Sequence, residues 1–292
     1  MTTKNKAESI SAESKLSKYY RAPKLYIKIP SQGAFNPDIE KSMSGELAVM
    51  AMTGRDEVMT KNPDALLNGE AITSVIKSCV PGIQNPATIP ITDIDTLLIA
   101  IKIASGGDEH DVSAKCPKCK TENRVTVNMR NIISTAKLLE PSYSVTLDTG
   151  VIVHIRPYTY NMQTEAALAA FEETKALQQL SKEDNIDSGV MSLYNKSFNK
   201  MADMSVSLLA RSIIKVITPA PDSETVTSPN EIHNFLQNID SKAAKLIDST
   251  LSKINTLNIN KNIELICENE KCKFKWTTEI DINPTDFFVA GS

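Results

Sequence analysis

The 292-residue sequence is poor in aromatic residues and in histidine, and it lacks the short motifs of the common enzyme classes. Aromatic residues make up 5% of the chain, and there are three histidines, His110, His154 and His233. No two of them have the spacing of metal ligands, and no phosphate-binding loop, dinucleotide-binding fingerprint, nucleophile elbow or H-E-x-x-H motif occurs. We therefore expect a protein that is not an enzyme and has no small-molecule substrate.

The chain also lacks a long apolar run and an excess of positive charge. Its most apolar stretch, residues 94–104, is too short to span a bilayer and contains a lysine, so no membrane contact is expected. The formal net charge is −3, whereas proteins that bind nucleic acid through their bulk surface are usually basic. No apolar signal-peptide core is present near Met1, and we expect a reducing compartment, where paired cysteines more often bind metal than form disulfides.

Four of the five cysteines lie in two short motifs, Cys116-x2-Cys119 and Cys267-x4-Cys272. Alternating apolar residues on both sides of each pair predict a strand–turn–strand hairpin with the cysteines in the turn. Two such hairpins facing one ion form a zinc ribbon, in which four thiolates close a tetrahedral shell and the Zn²⁺ is structural. The ribbon would be split by a long insertion, and this is tolerable because loop-closure entropy grows only logarithmically with length.

Other chemistry for these cysteines is open: a disulfide or two, a redox C-x-x-C, or an iron–sulfur cluster. A redox C-x-x-C is typically reactive because it lies at a helix N-terminus within a βαβ unit, and the sequence around these cysteines does not predict such a unit. Basic residues lie close to both motifs in the sequence. They either offset the formal −2 charge of a Zn²⁺ ion with four thiolates, or they form a nucleic-acid-binding patch in which Phe274 and Trp276 stack on bases. We favour charge compensation, with Trp276 in the ribbon core. The basic residues are Lys115, Lys118, Lys120, Arg124, Lys271, Lys273 and Lys275.

The rest of the chain reads as an alternation of strands and helices. Alternating Leu25, Ile27 and Ile29 predict a strand, and the fifth cysteine, Cys79, falls on the apolar face of a helix as a core residue. An apolar helix with Thr92 as its N-cap and Gly106 near its end must be buried on all sides. The other predictions are helices within 45–80, a hairpin over 143–157, helices over 162–180, 188–217 and 241–257, a loop over 219–229, and a helix that begins after Ser228.

These elements predict an α+β fold in which split zinc-ribbon-like β-hairpins accompany an N-terminal helical region and an inserted helical segment. We divide the chain into a flexible arm (1–22), an N-terminal strand and helical region (23–110), a zinc-ribbon and hairpin β-unit (111–157 with 258–292), and the inserted helical segment (158–257).

Residues 25–130 resemble the baseplate hub assembly proteins of T-even-like contractile-tailed phages. The resemblance is carried by a helix ending in "SCV", an aspartate-led apolar helix followed by "IASGG", and "CPKC" after it, together with "CENEKC" and "INPTDFF" near the C-terminus. The chain departs from the family pattern at two positions. Other members often have an aromatic residue at the position of Gly106, and they often have glycine at the position of Lys120, directly after the second cysteine of the turn.

The resemblance implies a structural or assembly protein, in the virion baseplate or the infected-host cytoplasm, that contacts hub or tape-measure proteins. Two readings from other classes are a zinc-ribbon nucleic-acid-binding module, which would bind DNA in a salt-sensitive way, and a redox protein, which would carry a rapidly alkylated thiolate.

Overall fold

The computed structural model describes residues 16–180, 188–282 and Phe287, and gives the backbone alone for 177–180 and 188–194. It combines helices with small antiparallel sheets, which confirms the α+β prediction. The described strands are β1 (Leu25–Ile27), β2 (Leu47–Val49), β3 (Glu109–Lys115), β4 (Glu122–Asn128), β5 (Tyr143–Thr146), β6 (Ile152–Ile155), β7 (Ile213–Ile217), β8 (Thr225–Val226), β9 (Asn262–Ile266) and β10 (Lys275–Glu279). The described helices are α1 (Gly54–Met59), α2 (Pro63–Leu67), α3 (Glu70–Cys79), α4 (Ile91–Gly106), α5 (Met129–Ser134), α6 (Tyr160–Leu180), α7 (Ser188–Ser212), α8 (Pro229–Asn238) and α9 (Ser241–Asn255).

Helix α4 is the centre of the first of two cores. Twelve of its sixteen residues are buried, as expected for a helix that is apolar on nearly every side. Thr92 is not its N-cap, because the helix already begins at Ile91 and Thr92 is fully buried in the first turn. Gly107, with φ +93°, ends the helix one residue beyond the predicted glycine. None of the described helices has the length and apolarity needed to cross a membrane.

Three short strands lie where the sequence pattern predicts helix or loop. Strand β2 falls within 45–80, and it pairs with β1 so that Leu47 and Val49 are buried. The helix predicted over 188–217 ends at Ser212, because the β-branched run that follows forms β7 against β6. Strand β8 lies within the predicted 219–229 loop and pairs with β7. Each strand is two to five residues long, too short for a convincing periodicity.

The two ends of the described chain build the first core together. Ile27, Leu47 and α3 pack with α4, and Ile259, Ile280 and Phe287 from the far end of the chain join the same cluster. Cys79 is fully buried within it, which confirms its reading as a core residue. This core therefore requires segments that are more than two hundred positions apart in the sequence.

The second core lies within 143–255. Strands β5, β6, β7 and β8 form one antiparallel sheet in that order, and α7, α8 and α9 contribute to the apolar cluster against it. The hairpin of 143–157 thus packs with the helices that follow it, whereas the sequence grouped it with the ribbon. The domain limits themselves stay a prediction.

Main-chain hydrogen bonds join the two cores where α4 and α6 begin. The Ile91 amide donates to the Tyr158 carbonyl at 2.9 Å, and the Tyr160 amide donates to the Ile89 carbonyl at 2.8 Å. From the other side, the Asn255 side chain accepts the Tyr158 amide at 2.8 Å. The start and the end of the segment from 158 to 255 are thereby tied to the first core.

Residues 1–15 of the predicted arm lie outside the described residues, but its end is held in place by Arg21. The guanidinium donates to the Ala51 carbonyl at 2.6 Å and to the Ser78 carbonyl and hydroxyl at 2.7 Å. It also lies 3.5 Å from the Asp56 carboxylate. The arm therefore leaves the body from a fixed point.

Asp93 is a fully buried carboxyl in the first turn of α4. The Ser31 amide donates to its Oδ1 at 2.8 Å, and the Ser31 hydroxyl donates to its Oδ2. Burial raises the pKa of Asp93 to about 7, and the Ser31 donors oppose that rise only in part.

Replacing Asp93 with asparagine should therefore change how stability depends on pH. Below pH 4 the Asp93 carboxyl is neutral in both the folded and the unfolded state, so its burial does not lower the stability. Between pH 4 and 7 the carboxyl ionises freely only in the unfolded chain. Ionisation therefore favours unfolding, and the wild type loses stability as the pH rises. Relative to Asp93→Asn, the free energy of unfolding of the wild type should fall by about 2–4 kcal/mol across that window and then level off. Urea denaturation from pH 4 to 8 measures this, with the exposed Asp222→Asn as control. A constant difference at all pH values would contradict it.

Candidate metal centre

The first cysteine turn closes the β3–β4 hairpin. The predicted strand–turn–strand is present, and its two strands pair from Glu109–Asn128 to Lys115–Glu122. Beyond them the Cys116 amide donates to the Thr121 carbonyl, and the Lys120 amide donates to the Cys116 carbonyl, both at 2.9 Å. These bonds tighten the turn so that both cysteine side chains leave it on the same side.

The second turn repeats this arrangement at the end of the β9–β10 hairpin. The Cys267 amide donates to the Phe274 carbonyl at 2.9 Å, and the Asn269 carbonyl accepts the amides of Cys272 and Lys273 at 2.9 and 3.1 Å. The residue after the second cysteine is left-handed in both turns, with φ +62° at Lys120 and +45° at Lys273. Both turns thus place a lysine in a conformation that favours glycine.

The structure brings the four predicted cysteines together. All four Sγ atoms lie within 4.8 Å of one another, with Cys119 and Cys267 at 3.5 Å and Cys116 and Cys272 at 3.9 Å. Four sulfurs around one Zn²⁺ at a bond length near 2.3 Å are separated by about 3.8 Å. Cys116 and Cys267 are buried, and the other two are half-buried. The cluster therefore fits one thiophilic metal ion with no remaining coordination position.

The sulfurs differ strongly in acidity. The Cys119 thiol donates to the Thr121 hydroxyl at 3.2 Å, and hydrogen bonding with the side chain and the backbone of Thr121 lowers the pKa of Cys119 to about 6. Burial raises the pKa of Cys267 to about 12. Four neighbouring thiols cannot all ionise without a cation, so a bound divalent ion is what would make every sulfur a thiolate.

Asn123 connects the two turns and was not found from the sequence. Its side chain is buried; it donates to the Thr121 carbonyl at 2.8 Å and accepts the Glu268 amide at 2.7 Å. It thus bonds to the backbone of both cysteine turns and holds them in register. The sequence did not indicate this role, because a polar residue in a strand is usually exposed and the backbone amide that Asn123 binds is 145 positions away.

A family model described as T4 bacteriophage base plate protein matches residues 37–289 of the chain. This span includes both cysteine turns, the second core and the first core apart from Ile27 and Ile29. The chain belongs to this family. It is therefore a structural protein of a bacteriophage baseplate, which implies a place in the virion. No significant match was found among curated proteins or among solved structures.

The seven basic residues around the cysteine turns of this baseplate protein are all exposed. Phe274 is 39% exposed, whereas Trp276 is half-buried and pairs across the hairpin with Leu265. Of the two rings, only Phe274 has the exposure that a stacking platform requires.

The three histidines stand apart from the cysteine cluster. His110 is buried with its ring 5.0 Å from that of Phe287, and His154 lies in strand β6 opposite Lys215. His233 is half-buried on α8. Within the part of the chain that the structure describes, the four cysteines form the one group of three or more potential metal ligands.

Replacing Lys120 with glycine should stabilise the protein. A side chain at φ +62° costs up to about 1 kcal/mol, and glycine removes that cost. Lys118→Gly in the same exposed turn is the control, because glycine there only adds chain entropy and should destabilise by about 0.5–1 kcal/mol. Chemical denaturation of the purified protein distinguishes the two; an equal loss of stability in both variants would show that the conformation of Lys120 carries no strain.

Asn123→Ala should lower the free energy of unfolding by about 1–3 kcal/mol, because it leaves the Glu268 amide without its acceptor and removes one of the two hydrogen bonds to the Thr121 carbonyl. Thr126→Ala on the same hairpin removes an exposed hydrogen bond to Asp111 and should cost less than about 0.5 kcal/mol. A variant at Asn123 as stable as that control would refute the linking role.

Proposed function

We propose that this chain is a structural or assembly protein of the baseplate hub of a contractile-tailed phage and acts through protein–protein contacts. The family match supports the baseplate part, and the four-sulfur cluster that brings together two turns about 150 positions apart supports a rigid scaffold. Its neighbours would be other hub proteins or the tape-measure protein. It would assemble in the infected-host cytoplasm and carry out no chemistry of its own.

Zn²⁺ is the ion that we propose for the cluster. Cys116, Cys119, Cys267 and Cys272 offer four sulfur donors, and a closed shell of four thiolates suits a structural zinc ion without redox chemistry. When bound, the ion supplies folding free energy by cross-linking the two hairpins. The nearby exposed lysines offset part of the negative charge of the centre.

Large apolar side chains on the long helices support a role in protein contacts. Phe198 on α7 is 75% exposed and Phe171 on α6 is 50% exposed. Tyr19 and Tyr20, just before the anchored Arg21, are 74% and 65% exposed. Aromatic side chains are enriched at surfaces that meet another protein.

A second candidate function is nucleic-acid binding at the cysteine turns. The exposed Phe274 ring among exposed basic side chains favours it, while the net charge of −3 opposes it.

The zinc proposal predicts one Zn²⁺ per purified chain by elemental analysis. Cys119→Ser should lose the metal and lower the thermal midpoint substantially, because the two hairpins are no longer cross-linked. Cys79→Ala, which removes the remaining cysteine from the first core, should keep one zinc per chain despite some loss of packing. A metal-free native protein, or an unchanged melting temperature in Cys119→Ser, would contradict a structural zinc.

Co-purification decides between the two functions. The tagged protein from infected cells should retain identified hub or tape-measure proteins, and it should show no salt-sensitive affinity for DNA. Affinity for DNA that falls steeply with salt, without tail proteins, would favour the nucleic-acid reading instead.

A further inference from the structure

A cavity of about 280 Å³ lies where α6, α7 and the β8–α8 connection meet. Its apolar wall includes Met162, Ala210 and Ile232. Its polar groups include two arginines, Arg156 and Arg211, and none of the residues that line it carries a carboxylate. A recess with apolar walls and a few convergent charged groups is the usual form of a binding site.

The two arginines bring more positive charge to this cavity than the chain neutralises. Glu165 on α6 forms an ion pair with Arg211 and lies 3.4 Å from its Nη2. Arg156 forms no ion pair with any described carboxylate, and its Nη2 donates to the Arg211 carbonyl at 3.2 Å. Among the described residues, the one carboxylate near the two guanidinium groups pairs with Arg211, and the positive charge of Arg156 has no counter-charge.

The donor groups of Arg156 are also incompletely used. Its Nε is buried, and no acceptor within the described residues lies in hydrogen-bond reach. Burial and, next, the charge of Arg211 lower the pKa of Arg156. A half-buried guanidinium without a counter-charge is costly, and an anion beside it would offset part of that cost.

We propose that this cavity binds a carboxylate which a neighbouring baseplate protein supplies. A carboxylate carries the single negative charge that the site lacks, and its two oxygens match the planar donor fork of a guanidinium. The apolar wall suits the methylene groups of a glutamate or aspartate side chain. The protein source of this carboxylate rests on the proposed function, whereas the binding of a carboxylate does not.

The first test is a thermal-shift titration of the full-length, zinc-loaded protein at constant ionic strength. The probe is N-acetylglutamate α-amide, its neutral match is N-acetylglutamine α-amide, and inorganic phosphate is the third ligand. We expect only the glutamate probe to bind in the cavity and so raise the thermal unfolding midpoint, because it is the one ligand of the three with a single carboxylate. Arg156→Gln should weaken that probe about tenfold or more, and Arg130→Gln, at an exposed ion pair elsewhere, should not.

A pair of variants at Thr227 keeps the test decisive if Arg156→Gln does not fold. Thr227 is exposed at the rim of the cavity, so substitution there leaves both cores intact. Thr227→Glu supplies a carboxylate from the chain itself and should raise the midpoint and abolish the effect of the probe. Thr227→Gln has the same size without the charge and should do neither. Identical behaviour of the two would overturn the proposal.

The second test compares the hub and tape-measure proteins retained by the wild type, Arg156→Gln and Arg130→Gln from infected cells. Loss of an identified neighbour with Arg156→Gln alone supports the proposal. If all variants retain the same baseplate proteins while the glutamate probe still raises the thermal midpoint, the cavity takes a free anion. A larger rise in the midpoint with phosphate than with the glutamate probe would show the same. Either result overturns the proposal that a neighbouring protein supplies the carboxylate. If the wild type retains no baseplate protein, the proposed function fails, while the probe titration still decides whether the cavity binds a carboxylate.

Discussion

The meeting of two cysteine pairs that are about 150 positions apart constrains the whole molecule. Cys119 and Cys267 can approach to 3.5 Å only if the intervening chain leaves and returns at nearly the same place. The main-chain bonds at Tyr158 and Tyr160 and the side-chain bond from Asn255 hold that entry and exit together. The first core, the cysteine cluster and the orientation of the inserted segment therefore all depend on the same approach of distant parts of the chain.

Local patterns in the sequence predicted the elements that carry their own signal. The β3–β4 and β9–β10 hairpins, the buried α4 and the core role of Cys79 follow from periodicity, turn residues and spacing within about twenty positions. Strands β2, β7 and β8 were missed because a strand of two to five residues is defined by its partner, and the partner is chosen by the tertiary fold.

The candidate metal centre divides in the same way. Its four sulfurs could be found because cysteine is rare in this chain and the pairs have ligand spacing. Asn123 and the left-handed lysines could not, since an asparagine in a strand and a lysine after a cysteine are unremarkable until the turn conformation and the distant Glu268 amide are known. Asp93 and Arg156 are likewise invisible in sequence, because their charge becomes costly only through burial by other elements.

The late position of Ile280 and Phe287 in the chain has a consequence for biosynthesis. The apolar surface of α4 must wait for partners that the ribosome makes roughly ten to thirty seconds after the β3–β4 hairpin at ordinary elongation rates. During that interval the nascent chain exposes an unfinished core and two unmatched sulfurs. Synthesis of the segment that carries Ile280 and Phe287 is thereby the step that closes the first core.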